Sequence, residues 1–155
     1  MYLIQTDQGL KEFCFDEKVY PTLRDDGEFL FNYGRVMMLN NDYKNATALI
    51  EESKKNYLDP KQYINLGTCF EKMNEYKKAK QNYKQAVNME SNKIYAKYLL
   101  AKLYVKEKKY ELAKNECEKI IRMKTKVETT AAQEMKDEVK NIMAEINNPA
   151  LSGNN

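Results

Sequence analysis

Apolar residues recur along this chain at the spacing of a single helix face, with short polar stretches between the runs. Tyr63, Leu66, Gly67 and Phe70 fall at i, i+3, i+4 and i+7, and Tyr76, Ala79, Tyr83, Ala86 and Val87 repeat the stripe one segment later. Met135, Val139, Ile142, Met143 and Ile146 share one face further on. The periodicity predicts seven or eight helices, over about 9–20, 27–39, 43–55, 60–72, 76–88, 93–106, 110–123 and 130–146. Local signals agree with these starts. Asp59-Pro60 offers an N-cap followed by proline at the first helical position, Asn92 is placed to cap the next unit, and Thr130 with Gln133 reads as a capping box. Asn41-Asp42, Asn74-Glu75 and Lys108-Lys109 supply polar turns.

The stripes themselves repeat. Tyr43, Tyr76 and Tyr110 are each followed three residues later by Ala46, Ala79 and Ala113, at separations of 33 and 34 residues. In step with them, the small residues Gly34, Gly67 and Ala101 follow the bulky Tyr33, Leu66 and Leu100, and Met37, Phe70 and Tyr104 come three residues later. Small side chains in register let paired helices approach closely, so Gly67 is expected against Ala79 and Ala86 with aromatics filling the space around them. Several units of one supersecondary design, stacked on one another, are the architecture such a period implies.

The pattern over 27–126 resembles the tetratricopeptide repeat, most fully in the middle unit, where Tyr63 takes the usual tryptophan place and Ser91 stands where proline is expected. The outer units depart further: Lys97 occupies the large aromatic position of the third, and Ile120 replaces its last alanine. The resemblance implies an all-α fold, a right-handed superhelical α-solenoid of stacked antiparallel helix pairs. It divides one domain over 1–155 into an N-terminal half repeat (9–26), three repeats (27–59, 60–93 and 94–126), a capping helix (127–146) and a disordered tail (147–155). It also implies a concave face lined by the first helix of each pair. The positions carried onto this chain as a partner-binding groove are Phe31, Arg35 and Met38, then Ile64, Asn65 and Thr68, then Tyr95, Tyr98 and Lys102. Exposed aromatics beside a few donors suit an extended peptide or a partner helix. The competing reading is that Phe31, Ile64 and Tyr98 pack between units and leave little groove. The clamp of Lys, Asn and Arg by which chaperone-tail-binding members hold a terminal carboxylate is not reproduced: its places read Phe31, Arg35, Asn65, Tyr95 and Leu99, and only Asn65 matches.

Composition narrows the function classes. The chain has 155 residues, 32% of them charged, with 5 Gly, 3 Pro and a net charge of +3, which suits a helical protein with solvated outer faces. It has no histidine, the commonest metal ligand and general base, and no phosphate loop or nucleophile motif, so no catalytic residue, metal or cofactor is expected. Cys14, Cys69 and Cys117 are too far apart for a ligand pair and are expected as buried small apolar residues. The lysines concentrated between Lys72 and Lys126 read as solvated helix faces, and no nucleic-acid partner is expected; weak binding through this half is the remaining alternative. The longest apolar stretch, Tyr98 to Leu103, is interrupted by Lys102, and Met1 to Ile4 lack a basic start, so neither membrane insertion nor a signal peptide is expected. Free thiols favour the cytoplasm. Asn45-Ala46-Thr47 has the form of a glycosylation site, but Ala46 is a packed position, and the methionines at Met37, Met73, Met135 and Met143 read as core filling.

A narrower resemblance concerns Tyr20-Pro21-Thr22-Leu23 with the run Gly27 to Gly34, then Ala86 to Met89, Lys124 to Val127 and the helix holding Glu134-Met135. Over about 12–146 these phrases look similar to the C-terminal repeat region of O-antigen ligase or polymerase-like membrane proteins of Bacteroides-type gut bacteria. That resemblance implies a soluble appendage tethered to a membrane protein through a region ahead of this chain, and it carries over no catalytic residue. The expected function is a non-catalytic interaction module binding a protein or peptide, either as that appendage or as a free-standing adaptor.

Overall fold

The computed structural model describes residues 2–6, 9–13, 23, 25–90, 93–123 and 129–148. It divides into two compact units, Met1–Ala79 and Lys80–Asn155. Among the described residues there are seven helices: α1 (Gly27–Leu39), α2 (Tyr43–Ser53), α3 (Pro60–Lys72), α4 (Tyr76–Met89), α5 (Ile94–Lys106), α6 (Tyr110–Arg122) and α7 (Thr130–Ile146). Their limits follow the apolar periodicity to within two residues at each end.

The N-terminal segment departs from expectation. No helix begins at residue 9; instead β1 (Tyr2–Thr6) and β2 (Gly9–Phe13) pair antiparallel, with Tyr2 opposite Phe13 and Thr6 opposite Gly9. The aromatic and β-branched residues Tyr2, Ile4, Thr6 and Phe13 favour a pleated surface, and β1 runs beside α1. The expected half repeat is therefore not formed over 9–13, and the remainder of the expected helix, 14–20, lies outside the described residues, as do Cys14 and the tail from 149.

Caps fix the helix starts. Asp26 accepts from Phe29 N at 3.0 Å, and Asp42 accepts from Asn45 N at 3.2 Å. Asp59 closes a reciprocal box, accepting from Lys61 N at 2.7 Å while its own N–H donates to Gln62 Oε1 at 2.9 Å, with Pro60 behind it. The α7 cap is Thr129, whose Oγ1 accepts from Ala132 N at 3.2 Å, rather than Thr130. Asn92 lies outside the described residues, and the N-cap of α5 is Lys93, without a side-chain hydrogen bond.

The turn inside each pair is the same structure three times. Asn41, Asn74 and Lys108 adopt positive φ of 61°, 61° and 57°. The next N–H in each case reaches back to Met37, Phe70 and Tyr104 carbonyls at 2.9, 2.8 and 2.8 Å. This left-handed stop satisfies helix-end carbonyls and turns the chain at once. In the first two turns a tyrosine hydroxyl, Tyr43 or Tyr76, donates to the asparagine Oδ1 at 2.7 and 2.8 Å.

In the first unit, Gly34 lets α1 lie on α2: a Cβ there would sit 2.6 Å from Ile50 Cγ1 and 3.2 Å from the Ala46 carbonyl oxygen. Around this crossing Phe31, Ile50 and Leu66 form one buried cluster, and Met37, Ala46 and Cys69 another. Ser53 and Gln62 are buried polar residues between α2 and α3. In the second unit, α7 packs on both α5 and α6, joining Ile94, Tyr98, Ala101, Cys117, Ile120 and Val139 in one core. Gly67, Ala79 and Ala86 are buried, as the repeat requires.

Candidate partner-binding faces

In the first unit, the expected inner residues separate into a buried set and a surface set. Phe31, only 4% exposed, packs with Ile50 and Leu66, its ring 5.9 Å from that of Tyr57. It supports the face from beneath and does not line it, because α2 and α3 both close over it. Arg35 is exposed, with Nη1 donating to Asn32 Oδ1 at 3.4 Å. Met38 is half-buried against both clusters. Ile64, Asn65 and Thr68 are half-buried on α3, and the Thr68 hydroxyl donates to the Ile64 carbonyl at 3.0 Å. Two large exposed residues went unnoticed in the sequence, Leu39 at the end of α1 and Leu58 before α3; neither falls on a repeat position.

In the second unit, Tyr95 is exposed and stacks on Tyr98, with ring centroids 6.4 Å apart. Tyr98 itself is buried and belongs to the core. Its hydroxyl donates to Glu138 Oε2 of α7 at 2.5 Å. Lys102 Nζ donates to both the Tyr98 hydroxyl and Glu138 Oε1 at 3.0 Å, and lies 5.0 Å from the Tyr98 ring centroid. The electrostatics agree with this closed triad. The Tyr98 hydrogen bond, then that of Lys102, holds the Glu138 carboxyl below the usual glutamate value. Burial, then the bond to Glu138, pushes Tyr98 up, and the bond to Tyr98 outweighs desolvation to raise Lys102. Phe31 and Tyr98 thus follow the packing alternative, whereas Arg35, Tyr95 and Lys102 remain at the surface. Glu138 had no signal of its own in the sequence, since its role depends on which face α7 lays against α5.

These faces present hydrogen-bonding groups, charge and apolar surface. Cys69 and Cys117 are fully buried, and burial pushes their thiols up to about 12 and about 11, far from thiolate reactivity at neutral pH. Among the described residues no cluster of His, Cys, Asp or Glu could hold a metal ion, and no helix is long and apolar enough to cross a membrane. Asn45 of the glycosylation-like triplet donates Nδ2 to Asp42 Oδ2 at 2.7 Å beside the fully buried Ala46.

Comparison with known proteins matches the tetratricopeptide repeat model to residues 61–93 and 94–126. No curated protein sequence matches the chain. Solved structures share its fold. PcrH from Pseudomonas aeruginosa is 15% identical, with a TM-score of 0.68 over 79% of this chain and 92% of that one. The Yersinia enterocolitica type III secretion chaperone SycD, solved in complex with a peptide of the translocator YopD, is 16% identical, with a TM-score of 0.69 over 84% and 96%. The tetratricopeptide domain of Sgt2 from Aspergillus fumigatus is 19% identical, with a TM-score of 0.63 over 78% and 81%. Residues 61–93 and 94–126 are tetratricopeptide repeats, set in the helical-repeat fold of these proteins.

Proposed function

We propose that this chain is a non-catalytic scaffold that binds a protein or peptide segment on the first-helix faces of its repeats. In the first unit the contacts are Arg35, Met38, Ile64, Asn65 and Thr68; in the second they are Tyr95 and Lys102, held over the buried Tyr98. The observation that carries this reading is the residue mixture within each unit: a guanidinium and an amide with half-buried aliphatic groups in the first, and an exposed aromatic ring with an ammonium group in the second. A structure of similar fold was solved with a peptide bound, which supports the same use of the fold here. Site-specific photocrosslinking tests it, comparing the wild type with an Arg35→Ala, Asn65→Ala, Tyr95→Ala triple variant. All three side chains reach the surface, so folding is expected to persist while crosslinked partner falls at least fivefold. Equal recovery removes these faces from the function.

Within that reading we assign the chain to the repeat region of an O-antigen ligase-like envelope protein, on the similarity of Gly27 to Gly34 and Ala86 to Met89 to such regions. The genomic reading frame upstream of Met1 tests this. Continuous coding sequence with a series of apolar spans is the expected result, and a stop codon returns the chain to a free-standing adaptor.

A further inference from the structure

The Tyr98–Lys102–Glu138 triad is a carboxylate-binding site that the protein fills with its own side chain. Tyr98 and Lys102 present two donors on α5, and Glu138 of α7 satisfies both. Around the triad the contact between the helices is apolar, with Val139 wholly buried and Met135 and Ile142 half-buried. Charge is divided in the same sense. α5 carries Lys97, Lys102 and Lys106 with no acidic residue, whereas α7 carries Glu134, Asp137, Glu138 and Glu145 against Lys136 and Lys140. Apart from Val139, no residue of α7 is fully withdrawn from water, in contrast to the seven buried residues of α5.

We propose that α7 is a detachable ligand of α5, and that an acidic amphipathic helix of a partner takes its place. The recognised pattern is a carboxylate at the Glu138 position with apolar side chains three residues before it and one and four residues after it, as Met135, Val139 and Ile142 stand now. The partner's carboxylate accepts from Tyr98 Oη and Lys102 Nζ, and its apolar side chains cover the strip that α7 vacates. This deepens the partner-binding reading by naming the chemistry of a ligand for the second unit, and it rests on that reading.

The test uses the full chain and a labelled peptide of residues 129–148. In a Glu138→Lys chain the resident helix is set against Lys102 and should yield its place. That chain is expected to bind the wild-type peptide at least tenfold more tightly than the wild-type chain does, and at least tenfold more tightly than it binds a Glu138→Lys peptide. Equal affinity in either comparison overturns the proposal. Hydrogen exchange on the unaltered chain decides the matter if the variant fails to fold. Amides of Glu134 to Met143 should exchange at least tenfold faster than those of Leu100 to Tyr104; equal rates would mean that α7 leaves only when the unit unfolds, and would also overturn it. Neither measurement needs a natural partner, so its failure is distinct from failure of the crosslinking experiment.

Discussion

Gln62 Nε2 donates to Ser53 Oγ at 2.6 Å, and both side chains are wholly withdrawn from water. The same amide donates to the Tyr57 carbonyl at 3.1 Å, Gln62 Oε1 accepts from Asp59 N, and Ser53 Oγ donates to the Ile50 carbonyl at 2.6 Å. Gln62 is thus the hub of a satisfied network that fixes how α2 hands the chain to α3. Gln62→Ala strips partners from buried groups and opens a cavity, and should cost about 2–4 kcal/mol. Ser53→Ala leaves the amide its Tyr57 partner and should cost about 1 kcal/mol. Urea denaturation of the two variants checks the order; equal losses would deny Gln62 its central place.

Gly27 and Gly34, both on α1, should differ when a methyl group is added. At Gly34 the new Cβ meets the Ile50 side chain at 2.6 Å, whereas at Gly27 it meets the Ser53 carbonyl oxygen at 2.7 Å and Tyr57 N at 2.8 Å. A side chain can shift more readily than backbone. Gly34→Ala should cost about 1–3 kcal/mol and Gly27→Ala more than that. Combining Gly34→Ala with Ile50→Ala should give less than the sum of the single losses, because the clash and the cavity share one space. Strict additivity in the denaturation midpoints would place Gly34 away from that crossing.

Lys108 holds the left-handed stop that asparagine holds at Asn41 and Asn74. Its Cβ crowds the carbonyl in this conformation, a strain that glycine lacks and asparagine tolerates better. Lys108→Gly should raise stability by about 0.5–1 kcal/mol, the relief of strain being partly offset because glycine adds freedom to the unfolded chain. Asn74→Ala should lose stability, since it forfeits both the favourable residue type and the bond from the Tyr76 hydroxyl. Thermal melts moving in opposite directions for the two variants are the expected outcome.

These turns also show how far the sequence could be read. The helices at Gly27–Leu39, Pro60–Lys72 and Thr130–Ile146 coincide with their apolar stripes because stripe and stop signal agree there. Adjacent threonines at 129 and 130 carry the same capping chemistry, so composition could not choose between them. Leu10 and Phe13 fit a helical spacing as well as a strand, and their fate was settled by pairing with Tyr2–Thr6, a choice no local window contains. The inner-face assignments were legible as positions on first helices and illegible as surface. Phe31 and Tyr98 are buried by helices contributed from elsewhere in the chain, while Arg35 and Tyr95 are not. Repeat register tells which way a residue points, and only the neighbours tell what lies there.

Acid should loosen the second unit through Glu138. Its folded-state carboxyl lies below the ordinary value of 4.5, first because Tyr98 donates to it and second because Lys102 does. The unfolded chain therefore binds the proton more readily, so the contribution is fully present above the unfolded value and is lost as pH falls through the folded one. Glu138 and Lys102 are each nearly half exposed, so solvent and salt screen the effect and keep it small. Urea midpoints measured between about pH 5 and 3 should fall more steeply for the wild type than for Glu138→Gln. Asp137, whose carboxyl is also lowered by Lys140 and Gln133, is common to both proteins, so the difference between the curves isolates Glu138. Tyr98→Phe should flatten the profile more than Lys102→Ala, because the phenol is the larger cause. Parallel curves for wild type and Glu138→Gln would mean that the carboxylate gains nothing from its two donors in solution.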